Sequence, residues 1–124
     1  MEDEDQAVDD PLPKDVRARL EAEHTEIIAI KATVGKGDNV FAFRLPTRGE
    51  TKRYRQMAQK PGRDAGDEME ALLLTTVVYP GADAAAAKLA LTAFFDRYSM
   101  AVASFGIKFQ EGAGLDFAAL AVVK

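Results

Sequence analysis

The sequence predicts an α+β domain, with a β-hairpin near its N-terminal end packed on a bundle of three to four helices. Two patterns and a length carry this expectation. β-branched and aromatic residues cluster or alternate over 27–34 and over 40–45, the two-residue period of strands. From Thr47 to Phe105 the apolar residues recur every three or four positions instead, the period of a helix face. The 124 residues fit one domain, enough to bury roughly two-thirds of the unfolded surface without covalent staples.

Residues 1–12 combine six acids with few bulky apolar groups and are expected to stay disordered, leaving 13–124 as the folded unit. A first helix is expected over Lys14–His24, with Val16 and Leu20 as a thin apolar stripe. Ile27, Ile28, Ile30 and Val34 then mark a strand. Gly35 to Asn39 reads as a turn, and Val40 to Leu45 as the returning strand. A lone hairpin is marginal in water, so helices must cover it.

Thr47 followed by Glu50 is a capping-box pattern opening a helix to about Lys60, where Pro61-Gly62 stops it. Tyr54, Met57 and Ala58 form its apolar side, and Arg48, Lys52 and Arg55 lie elsewhere at i, i+4, i+7. Asp64 can cap a third helix, with Asp67 and Glu68 in the turn where the helix dipole favours acids. Met69, Leu72, Leu73 and Thr76 form its stripe, and Val77 to Gly81 ends it because Pro80 disfavours helical geometry at Tyr79. A fourth helix is expected from residue 82 or 83 to Ser104, with Ala87, Leu91, Phe94, Tyr98, Val102 and Phe105 as its stripe and Gly106 as its cap. Residues 107–124 read as a flexible tail, apolar from Leu115 to Val123.

Composition narrows the chemistry. Cysteine is absent, which removes disulfides, thiolate metal sites and cysteine nucleophiles. The acidic start, Met1 to Asp5, differs from the basic and then apolar start of a signal peptide. No apolar run reaches the roughly 20 residues a membrane helix needs. A lone histidine, His24, supports neither a zinc site nor a Ser/His/Asp set. Asp64, Asp67, Glu68 and Glu70 read as helix-start acids rather than an acid/base pair. Gly35-Lys36-Gly37 lacks the spacing of a phosphate loop and precedes a strand. The expectation is therefore a non-enzymatic binding protein without a cofactor.

Charge is uneven. The net charge is −4, yet residues 1–10 hold six acids and no base, so the remainder is slightly basic. Arg44 to Arg63 holds seven bases against the single acid Glu50. This stretch reads first as a solvated face, then as a contact for an acidic segment, the chain's own N-terminus included. Nucleic acid ranks last, since no DNA- or RNA-binding motif accompanies the bases.

Two segments carry a resemblance. Val40-Phe41-Ala42-Phe43-Arg44-Leu45-Pro46-Thr47-Arg48-Gly49-Glu50-Thr51-Lys52-Arg53-Tyr54 resembles a pattern in tail assembly chaperones of long-tailed phages, where a strand passes through a Pro-Thr/Ser-Arg turn into a basic helix. Glu70 to Pro80, ending Val77-Val78-Tyr79-Pro80, resembles the close of that family's next helix. The likeness covers about residues 27–80 and stops at Pro80. It implies a chaperone that coats the apolar tape measure protein, keeps it soluble during tail assembly in the host cytoplasm, and is absent from the mature virion. A structural virion protein (a tail or head–tail connector component) is the alternative. A nucleic-acid-binding regulator using the basic helix 47–60 is a further one. For a chaperone, the apolar residues off the main stripe, Leu89, Phe95 and Met100, with Tyr79 at the edge, are the candidate partner-binding surface. Arg48, Lys52 and Arg55 are the basic face. Self-association is a further expectation, and a membrane is not expected as a partner.

Overall fold

The computed structural model of the chain describes residues 11–34, 37–62 and 64–114, with side chains left out at 37 and 38. The architecture is α+β, with a three-stranded antiparallel sheet and five helices among the described residues. Helix α1 (Lys14–His24) leads through Thr25, at φ 70°, into β1 (Ile27–Val34) and β2 (Gly37–Arg44). Helices α2 (Arg48–Ala58) and α3 (Ala65–Thr76) follow, then β3 (Val77–Tyr79), α4 (Ala84–Arg97) and α5 (Ala101–Ala113).

The two-residue period of the hairpin sorts its side chains onto two faces. Ile28 lies opposite Phe43 and Ile30 opposite Phe41. These four enter the main core with Met69, Leu72, Leu73, Leu91, Phe94, Phe105 and Phe109 from α3, α4 and α5. The intervening residues Ile27 and Ala42 face the other way, toward Leu20 of α1 and Leu12. The sheet is therefore covered on both sides, and its central strand β2 is the most deeply buried, with Ala42 and Phe43 inaccessible to solvent.

The hairpin, the capping box and the stripe of α3 form where the sequence places them. Glu50 N–H donates to Thr47 Oγ1 (3.1 Å) while Thr47 N–H donates to Glu50 Oε1 (2.9 Å). Asp64 caps α3 by accepting from Gly66 N–H. Met69, Leu72, Leu73 and Thr76 are all buried.

Elsewhere the structure corrects the reading. Strand pairing runs on to Val34 opposite Gly37, so Gly37, Asp38 and Asn39, expected in the turn, belong to β2; residues 35 and 36 lie outside the described residues. Leu12, assigned to a disordered tail, is 4% exposed and packs with Leu20, Ile27 and Val78; residues 1–10 lie outside the described residues. Val77–Tyr79, read only as a helix ending, is a third strand against β2, with a register shift at Ala42/Phe43. Its β-branched and aromatic residues suit a pleated surface.

The long fourth helix is two. Asp83 caps α4 by accepting from Ala86 N–H, and the helix ends at Tyr98, whose φ −125° and ψ 73° are non-helical. One straight helix over residues 84–113 would be about 45 Å long, well beyond an eight-residue strand of about 27 Å. The turn at Tyr98–Met100 brings Phe105 and Phe109 back over the sheet. Residues 107–113, expected as a tail, are the second half of α5; residues 115–124 lie outside the described residues. Gly106, expected as a cap, is buried within α5.

Gly106 and Gly112 allow α5 to approach its neighbours closely. A Cβ on Gly106 would lie 2.8 Å from Met69 Cγ, and one on Gly112 would lie 2.7 Å from Ile28 Cγ2. The Met69 side chain is unbranched and can yield, whereas Ile28 is stiff at χ1 and fixed in a paired strand. Gly112→Ala should therefore destabilise by about 1–2 kcal/mol, although alanine favours a helix by about 1 kcal/mol. Gly106→Ala should cost less. Urea midpoints at unchanged m-value check both.

Candidate functional site

The end of β1 and the corner between α4 and α5 enclose a groove of about 620 Å³. Ile30, Ala32 and Val34, spaced by the strand period, and Phe105 of α5 give it apolar surface; Tyr98, Ser99, Met100, Ala101 and Ser104 form the corner side. Lys31, Arg97 and Lys108 also line it, and its charged side chains are all basic. The corner is held from below. The Tyr98 ring packs on Phe94 at 5.1 Å between centroids, and the Arg97 guanidinium lies 5.6 Å from the Tyr98 ring. Met100, with no such packing, is 88% exposed. It also borders a second hollow of about 300 Å³ that includes Asp67, Glu70, Val102 and Ala103. Met100 is thus an apolar ridge with bases on one flank and acids on the other. Its flexible thioether suits contact with varied apolar surfaces.

The expected partner surface is not one surface. Phe95 is 3% exposed and packs edge-on against Phe105 at 5.4 Å, so it belongs to the core. Tyr79 is half-buried in the cluster on the opposite face of the sheet. Leu89 is 74% exposed on α4 but does not line the groove. Only Met100 of the four is in it. Ile107, 59% exposed, was missed by the sequence reading; it sits in the segment expected to be a tail and lies within α5.

Arg48, Lys52 and Arg55 are exposed. Arg44 is different: it pairs with Glu50 through two hydrogen bonds of 2.9 Å and reaches the Leu45 and Thr75 carbonyls. It ties the end of β2 to the first turn of α2 and the last turn of α3. The Arg44 hydrogen bond, helped by the Thr47 backbone N–H, outweighs burial and lowers the Glu50 carboxyl to about 2. Arg53 lies with Tyr54, Glu68 and Leu72 in the cleft between α2 and α3, where burial and the Glu68 charge raise the Tyr54 phenol.

Among the described residues no group of three or more His, Asp or Glu could hold a metal ion, and no helix is long and apolar enough to cross a membrane. His24 lies 3.5 Å from Glu23 at the end of α1. No family model, curated protein or solved structure matches the chain.

The Glu50 pairing has a defined pH signature. Its carboxyl is lowered on folding, so its contribution is fully present above the ordinary value of 4.5 and is lost as pH falls toward about 2. The pair is about a quarter exposed, so solvent screening reduces the effect to about 1–2 kcal/mol. Glu50→Gln should lower stability at neutral pH and flatten this part of the pH dependence. Urea unfolding of both proteins at about pH 7, 4 and 2.5 checks it.

Proposed function

We propose that the chain is a non-enzymatic tail assembly chaperone that binds the phage tape measure protein and keeps it soluble. The observation that carries this reading is the groove between β1 and the α4–α5 corner, with Met100 exposed on its rim. The likeness over residues 27–80 to the tail assembly chaperones supplies the partner.

A tape measure protein presents long apolar segments that aggregate unless covered. The groove offers such a segment Ile30, Ala32, Val34 and Phe105 as apolar surface and Met100 as an adaptable contact. Arg97 and Lys108 favour a segment that carries carboxylates beside its apolar positions. Apolar surface confined to a groove bordered by charge can hold another chain without promoting self-aggregation. Binding of this kind needs no reacting group.

Co-expression with the tape measure protein, followed by affinity recovery from the soluble fraction, tests the reading. The long protein should become soluble and co-purify. Met100→Asp should cut recovery about tenfold, the equivalent of losing about 1.4 kcal/mol of apolar contact. Its thermal midpoint should stay unchanged, because the side chain is 88% exposed. If the tape measure protein stays insoluble while this chain is found in purified particles, a structural virion role replaces the chaperone.

A further inference from the structure

Helix α2 concentrates positive charge that its own surroundings leave unneutralised. It carries Arg48, Lys52, Arg53 and Arg55 against one acid, Glu50. Glu50 is taken by Arg44, and Arg53 turns to the cleft it shares with Glu68. Arg48, Lys52 and Arg55 remain on an exposed stripe about 10 Å long. None of the three forms an ion pair with another described residue.

From these charges and the tether described next, we infer that residues 1–10 dock on this stripe, with Glu2, Asp3, Glu4 and Asp5 against Arg48, Lys52 and Arg55. Charge complementarity is one argument: residues 1–10 hold six acids and no base. The point of attachment is another. Leu12 is buried in the same cluster as Ile27, and Ile27 lies opposite Arg44 in the hairpin. Paired residues are about 5 Å apart, and Arg48 is four residues beyond Arg44, at most about 14 Å of chain. Ten residues reach up to about 35 Å. The acids are therefore tethered within reach of the stripe, which raises their effective concentration there to the millimolar range.

Other basic sites fit less well. Lys14, Arg17 and Arg19 of α1 are balanced by Asp15, Glu21 and Glu23 on the same helix. The groove's bases accompany Ile30, Ala32 and Val34, toward the end of β1 far from Ile27 and the Leu12 cluster. Docking on α2 leaves that groove open. It also covers the basic face, so a polyanion must displace the segment before it can bind there.

The chain has no cysteine, so a spin label on Gln6→Cys marks the segment alone. At low salt, amide signals of residues 48–55 should weaken at least about twofold relative to the reduced label, and recover at about 0.5 M NaCl, where the screening length is below about 5 Å. The substitutions Arg48→Glu, Lys52→Glu and Arg55→Glu together should abolish the weakening while the remaining amide pattern stays that of the folded chain. The salt arm tests the contact without any substitution. Weakening centred on α1 or on the groove, or none at low salt, overturns the inference. So does weakening of isotope-labelled, unspin-labelled chains by spin-labelled ones, which would show a second copy on the stripe.

Discussion

Six phenylalanines from β2, α4 and α5 meet over the sheet, and the rest of the molecule is arranged so that they can. Phe41 contacts Phe94 at 5.3 Å and Phe105 at 5.8 Å; Phe43 contacts Phe105 at 6.3 Å and Phe109 at 5.7 Å. Phe95 closes the cluster from α4. Such tilted and edge-on pairs each add about 0.5–1.5 kcal/mol beyond area burial. Phe94 and Phe105 both reach Phe41, and this requires the chain to change direction between α4 and α5. The change of direction is made at the corner Tyr98–Met100, and the corner with the end of β1 makes the groove. Gly106 and Gly112 let α5 sit close enough to α3 and β1 for the rings to meet.

A second joint orients α2. Arg44 binds Glu50 in the capping box and reaches the Thr75 carbonyl at the end of α3. One guanidinium thereby fixes where β2 ends, how α2 begins and how α3 finishes. Glu50 is consumed in this joint, and the neighbouring cations of α2 lose the acid that could have neutralised them. The basic character of the exposed face follows from a structural requirement at the first turn of the helix. The groove and the basic face thus arise from different constraints, ring packing in one case and helix docking in the other.

The candidate surface was only partly legible. Periodicity places Phe95 off the main stripe of the long fourth helix expected from the sequence, as it does Leu89 and Met100. It carries no information about a second packing partner, and α5 supplies one in Phe105. Leu89 and Met100 face no such neighbour and stay exposed. Tyr79 changes role because its segment pairs with β2 as a strand. The break at Tyr98–Met100 lacks glycine and proline, so the usual marks of a helix end are missing. Conversely, Gly106 looked like a cap because glycine commonly ends helices, whereas here it makes room for Met69.

Local rules by themselves determined the elements whose cause is local: the hairpin from its two-residue period, the capping box from Thr47 and Glu50, the cap at Asp64, the stripe of α3, and the basic side of α2. Each depends on residues within a few positions of one another, and neighbours in sequence suffice to read them. Tertiary structure decided the third strand, the division of the last helix, the burial of Leu12 and Phe95, the exposure of Ile107 as part of a helix, and the groove. These depend on where β2 lies relative to α3, α4 and α5. That arrangement is set by which apolar faces can be buried together, a condition that contacts between residues far apart in sequence must satisfy.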